Sequence, residues 1–92
     1  MPLLSEETLK SFIEGQPDWS VENGQLVRTF RFADFVGSIG FVSKVAMLAE
    51  KADHHPNIDI RWNRVTLSLS THSAGGITEK DTHLADACGR LA

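Results

Sequence analysis

From Ile58 to Leu69 the chain alternates with a period of two. Ile58, Ile60 and Trp62 stand against Asp59 and Arg61, and Val65, Leu67 and Leu69 stand against Thr66 and Ser68. Two such runs around a polar break at Asn63-Arg64 predict an antiparallel hairpin with one dry and one wet face. A dry face has to be buried, so this hairpin needs more sheet beside it and helices over one side. An earlier pair of extended runs, Trp19 to Glu22 and Gln25 to Phe32, supplies the sheet. They are joined by Asn23-Gly24, the preferred pair for a two-residue type I′ turn. In the second of these runs Leu26, Arg28, Phe30 and Phe32 alternate with Val27, Thr29 and Arg31, so neither face is clean.

Three segments carry helix signals. Ser5 can cap a short helix over Glu6 to Glu14, with Glu6 and Glu7 at its positive end. Leu9, Phe12 and Ile13 share one side of it, and Gly15, Pro17 and Asp18 stop it. Asp34 can cap the main helix, Phe35 to Ala52. At about 100° per residue, Phe35, Ile39, Val42, Ala46 and Ala49 form a narrow stripe expected to lie on the sheet. A flanking row, Phe41, Val45 and Leu48, is expected either to widen that contact or to meet another subunit. Thr78-x-x-Asp81 opens a last helix in the manner of a capping box, with Leu84, Ala87 or Cys88, and Leu91 inward. The fold class is therefore α+β: a four-stranded antiparallel sheet with three helices packed on one face, in the order α-β-β-α-β-β-α.

A chain of 92 residues has room for one domain, expected over 1–92. Lys and Arg number 9 against 12 Asp and Glu, a net charge of −3, which removes the basic footprint of a general nucleic-acid binder. A hydrophobic content of 41% excludes extended disorder. The single cysteine, Cys88, allows neither an internal disulfide nor a cysteine-based zinc site. The first residues lack the basic and apolar regions of a secretory signal. Phe35 to Ala49, the longest apolar stretch, is broken by glycines, serines and Lys44 and is too short to span a bilayer. The cytoplasm is the expected location, with no membrane partner.

The histidines are placed unevenly. His54 and His55 stand where the main helix gives way to a strand, and Pro56 biases His55 toward extended geometry. His72 ends the returning strand, just before Gly75-Gly76. With Asn63-Arg64 as the turn, Trp62 faces Val65, Asn57 faces Ser70 and His55 faces His72. Three imidazoles then converge on one end of the sheet. Near pH 7 an imidazole accepts or donates a proton at little cost, so a pair of them suits general acid–base work on a small molecule. Glu50, Asp53 and Asp81 are carboxylates able to orient an imidazole. Two other readings stand beside this one. Three histidines can hold zinc, although adjacent residues of an extended chain point to opposite sides, which suits His54 and His55 poorly as joint ligands. The imidazoles can also be ordinary, meeting helix-end carbonyls or solvent, with Asp81 a simple cap. His83 reads as a surface residue, Trp62 as core on the Ile58/Ile60 face, and Cys88 as a small buried hydrophobe.

The run Glu50-Lys51-Ala52-Asp53-His54-His55-Pro56, followed by Ser70-Thr71-His72 and then Gly76-Ile77-Thr78-Glu79-Lys80-Asp81, resembles the pterin-4a-carbinolamine dehydratase family. The resemblance rests on about a third of the chain, with matching element order around it. It implies loss of water from a 4a-hydroxytetrahydropterin to give the quinonoid dihydropterin, the recycling step for aromatic amino-acid hydroxylases. It implies His54 and His72 as the acid–base pair, His55 as a pterin-holding residue and Asp81 as their support. Pro56, Thr71, Ser73 and Ala74 are then expected to line the pocket, with Glu50 at its edge and Asp53 and Ser70 beside them. No metal and no organic cofactor are implied, and a homodimer or homotetramer is. Ile58 and Trp62 depart from the aromatic residue and the tyrosine of animal members, which touches pocket detail. A non-catalytic interaction module on the same fold is the alternative, since animal members also act as a transcriptional coactivator.

Overall fold

The computed structural model describes residues 2–92. Its elements run α1 (Glu6–Gly15), β1 (Ser20–Glu22), β2 (Gln25–Arg31), α2 (Phe35–Ala52), β3 (Asn57–Arg61), β4 (Arg64–Leu69), a 3-10 turn (His72–Ala74) and α3 (Glu79–Leu91). The four strands form one antiparallel sheet in the order β1-β2-β4-β3. The α+β fold in the predicted element order is therefore present. Among the described residues no helix is long and apolar enough to cross a membrane.

Local signals set most boundaries. Ser5 accepts from the Thr8 amide and Asp34 from the Gly37 amide, each satisfying a free N–H at a helix start. Asn23 and Gly24 both adopt positive φ, 51° and 75°, as a type I′ turn requires, and Glu22 pairs with Gln25 across it. Leu26 and Phe30 of β2 and Val65, Leu67 and Leu69 of β4 bury one sheet face. Thr29 and Thr66, hydrogen-bonded at 2.9 Å, lie on the open one. Arg28 sits among the apolar positions of β2 because its guanidinium covers Phe30, 4.2 Å from the ring centroid, and reaches Asp18 at 3.5 Å.

Helix α2 is turned from the expected orientation. Phe41, Val45 and Ala49 are its buried apolar residues, whereas Phe35 and Ile39 are 51% and 40% exposed. Of the flanking row, Phe41 and Val45 face the core and Leu48 is half-buried; of the stripe begun by Phe35 only Ala49 is buried, with Val42 half-buried and Ala46 exposed. Phe41 packs at a tilt against Phe30 and Phe32, ring centroids 4.5 and 5.0 Å apart, an aromatic contact that helical periodicity alone does not reveal. In α3 the buried apolar residues are Leu84, Ala85 and Cys88.

The second hairpin also differs from its sequence pattern. Its turn is Trp62-Asn63, with Arg61 opposite Arg64, Ile60 opposite Val65 and Asn57 opposite Ser68. The ladder is displaced by two residues, which keeps every side chain on its expected face. Tertiary bonds select this register: Asn63 donates through Nδ2 to the Phe32 carbonyl at 3.1 Å, and its own carbonyl accepts from the Phe32 amide at 2.8 Å. The Ser38 hydroxyl donates to the Trp62 carbonyl at 2.6 Å. Trp62, expected in the core, stands at the turn with φ 50° and is 65% exposed. Strand β3 is the sheet edge, so Ile58 and Ile60, although on the dry face, remain uncovered.

Two measurements check this packing. Phe41→Ala lowers unfolding free energy by about 3–5 kcal/mol, and Phe35→Ala by about 1 kcal/mol or less, in denaturant titrations; equal losses would contradict the orientation of α2. Burial pushes the Cys88 thiol up to about 11, so a thiol reagent at pH 8 modifies it only through unfolding. Rapid modification of native protein would contradict that burial.

Candidate active site

The end of α2 determines where the two adjacent histidines go. The helix stops at Ala52, and Asp53 turns into the left-handed region at φ 51°. The Asp53 amide donates to the Glu50 carbonyl at 3.2 Å and the His54 amide to the Ala49 carbonyl at 3.1 Å. This is a Schellman closure with aspartate where glycine is usual, a conformation costing a non-glycine residue about 1–2 kcal/mol. Past it, the neighbouring side chains part. His54 Nε2 lies 2.5 Å from Asp81 Oδ1, and His55 Nε2 lies 2.6 Å from Glu50 Oε1 at the surface. Among the described residues no three His, Cys, Asp or Glu side chains are grouped as metal ligands.

Asp81 is 0% exposed. It is the third residue of α3 and completes the capping box: its Oδ2 accepts from the Thr78 amide at 2.8 Å while the Thr78 hydroxyl accepts from the first turn. Oδ2 also accepts from the Thr71 hydroxyl at 2.9 Å. Thr71 and Thr78 oxygens are 2.7 Å apart, and because the Thr71 proton is directed at Asp81, Thr78 donates to Thr71. Every partner of this carboxylate is thus a donor, the set an acceptor-only group needs when no water reaches it. His54 must then carry its proton on Nε2, which leaves Nδ1 as its basic atom. The capping and orienting readings of Asp81 are both satisfied by one side chain.

His72 is held by a pinched loop. Beyond Leu69, Thr71 pairs with Gly76: the Thr71 amide donates to the Gly76 carbonyl at 2.7 Å, and the 3-10 turn between them closes with Gly75 at φ 77°. The displaced register carries His72 past the position facing His55, yet the turn returns it to the same opening. A cleft of about 400 Å³ is lined by Asp53, His54, His55, Ser70, Thr71, His72, Ser73 and Lys80. Seven of these eight carry sequence expectations. Glu50, Pro56, Ala74 and Asp81 do not line it; Glu50 reaches it through His55 and Asp81 through His54. Lys80 had no signal of its own, although it follows the Thr78 cap by two residues and directly precedes Asp81.

A model of the family described as pterin 4 alpha carbinolamine dehydratase matches residues 2–91. A Chloroflexus aurantiacus protein, named provisionally as a pterin-4-alpha-carbinolamine dehydratase, is 59% identical over 91 residues, covering 99% of this chain and 98% of that protein. The crystal structure of a transcriptional coactivator/pterin dehydratase from Brucella melitensis superposes with a TM-score of 0.93 at 34% identity, over 98% of both chains. A pterin dehydratase-like protein described as a RuBisCO assembly factor of the alpha-carboxysome shares the fold, with a TM-score of 0.66 at 24% identity over 80% of this chain and 86% of its own. With the family model matched over nearly the whole sequence, the chain belongs to the pterin-4a-carbinolamine dehydratase family.

Proposed function

We propose that the chain dehydrates a 4a-hydroxytetrahydropterin to the quinonoid dihydropterin, returning an oxidised pterin to the reduction cycle that serves a hydroxylase. The observation that carries this reading is the His54–Asp81 pair, an imidazole bonded to a buried carboxylate and lining the same cleft as His72. His54 takes the N5 proton on Nδ1, and the imidazolium so formed is stabilised by Asp81, the role an orienting carboxylate has beside any catalytic histidine. His72, exposed and free to exchange with solvent, delivers a proton to the 4a-hydroxyl. The C4a–O bond breaks, water leaves with the bonding pair, and the N5 electrons form the N5=C4a double bond. His55, steadied by Glu50, holds the ring. Ser70 and Ser73 offer polar atoms to its edge, with Asp53 at the mouth, while Thr71, its hydroxyl committed to Asp81 and Thr78, shapes the wall. All of these are groups of the chain itself, and no cofactor enters the scheme.

The protein acts as a homodimer or homotetramer. The uncovered β3 edge supports this, because an unpaired strand flanked by Ile58, Ile60 and Trp62 is a template for pairing with another strand.

With freshly generated 4a-hydroxytetrahydropterin, His54→Ala and His72→Ala are each expected to lower kcat by about 10²-fold. Asp81→Asn is expected to do so as well, because an amide donor reverses the His54 tautomer; circular dichroism separates this from unfolding. An unchanged rate in His72→Ala removes that residue from the mechanism. Absence of acceleration by folded wild type favours the interaction module instead. For assembly, light scattering of Ile60→Lys should show a lower mass than wild type, and a monomeric wild type would end the oligomer reading.

A further inference from the structure

A second cavity opens between α2 and α3, about 430 Å³ in volume, and it shares His54 and Lys80 with the candidate active-site cleft. Leu48, Leu84 and Ala87 give it an apolar floor, and its charged lining is entirely cationic or titratable to cationic: Lys51, Lys80, His54 and His83. No carboxylate lines it, in a chain whose net charge is −3. Among the described residues neither lysine has an ion-pair partner, while exposed His83 meets Glu79 at 3.5 Å. Apolar ground beside unpartnered cations fits an elongated group with an apolar body and an anionic end.

The chemistry of the pterin ring says what such a group could be. C6 is bonded directly to N5, so a substituent on C6 leaves the ring beside the atom that His54 addresses. His54 is one of the two walls common to both cavities. A ring placed in the first cavity with N5 at His54 would have its C6 substituent beside His54 and Lys80, the walls shared with the second.

We propose that the α2–α3 groove is a substituent site, and that the substrate is a pterin whose C6 arm has an apolar spacer ending in a carboxylate or phosphate. The arm lies on Leu48 and Leu84, and its anion meets Lys51 and Lys80. The assignment rests on the dehydratase reading for the position of the ring, and the groove selects among pterins by that arm.

Calorimetric binding of unreactive oxidised pterins tests the groove without requiring turnover. Pteroylglutamate, with an aromatic spacer and carboxylates, is compared with biopterin, whose arm is short and neutral, and with neopterin monophosphate. At least one anionic pterin is expected to bind about tenfold tighter than biopterin, the scale of one charge-assisted hydrogen bond. The larger gain identifies the anion. The advantage should shrink with added salt and be lost in Lys51→Glu, with Lys51→Gln intermediate. In turnover of the matching 4a-hydroxy compounds, Lys51→Glu should raise KM for the anionic-armed substrate about tenfold more than for the neutral one. Equal binding of all three pterins by wild type overturns the proposal, and so does an anionic advantage that Lys51→Glu leaves intact. If the advantage is present and sensitive to Lys51 but no pterin is turned over, the groove stands and the dehydratase reading falls. If turnover is present and no advantage is seen, the reverse holds.

Discussion

Asp81 joins three parts of the chain through one carboxylate that water does not reach. It closes the first turn of α3 through the Thr78 amide, holds the end of β4 through Thr71, and receives His54 from the end of α2. A buried charge is tolerated only when its oxygens are filled by donors, and here the fold supplies them from separate segments. Removing any one donor leaves a buried carboxylate oxygen short of a hydrogen bond. The relative placement of α2, α3 and the sheet end thus depends on the same group that orients the histidine.

This sharing has a physical consequence for the candidate site. A cap alone would need only the Thr78 amide and hydroxyl, and an imidazole partner alone could sit on a loop. Combining them puts His54 against the rigid start of a helix, where its ring has little freedom to turn. His55, one residue on, is bonded only to exposed Glu50 and is the more adaptable of the two. Lys80, on the exposed side of the same helical turn, puts a cation between the cleft and the α2–α3 groove.

Much of the fold was legible in the residues because its signals are local. Ser5, Asp34 and Thr78 cap their helices through neighbouring amides, Asn23-Gly24 turns the first hairpin, and the alternation from Ile58 to Leu69 sorts the two sheet faces. Where the residues misled, a distant partner decided. Asn63 is bound to Phe32 and Ser38 to Trp62, which selects a ladder displaced by two residues. Phe41 rather than Phe35 turns inward because it finds Phe30 and Phe32. Trp62 is exposed because that displaced register puts it in the turn rather than in the ladder.

The candidate site divides in the same way. His54, His55, His72 and Asp81 could be singled out from the sequence, because residue type, a following proline and a capping spacing are properties of neighbours along the chain. Sequence alone also established the α+β element order and the three helix starts. Only the tertiary structure decided that Asp81 serves the cap and the imidazole together, which nitrogen of His54 carries the proton, and that Lys80 lies between two cavities. Those depend on where separate segments meet, and the meeting is set by burial and hydrogen-bond completion over the whole fold rather than by any short run of residues.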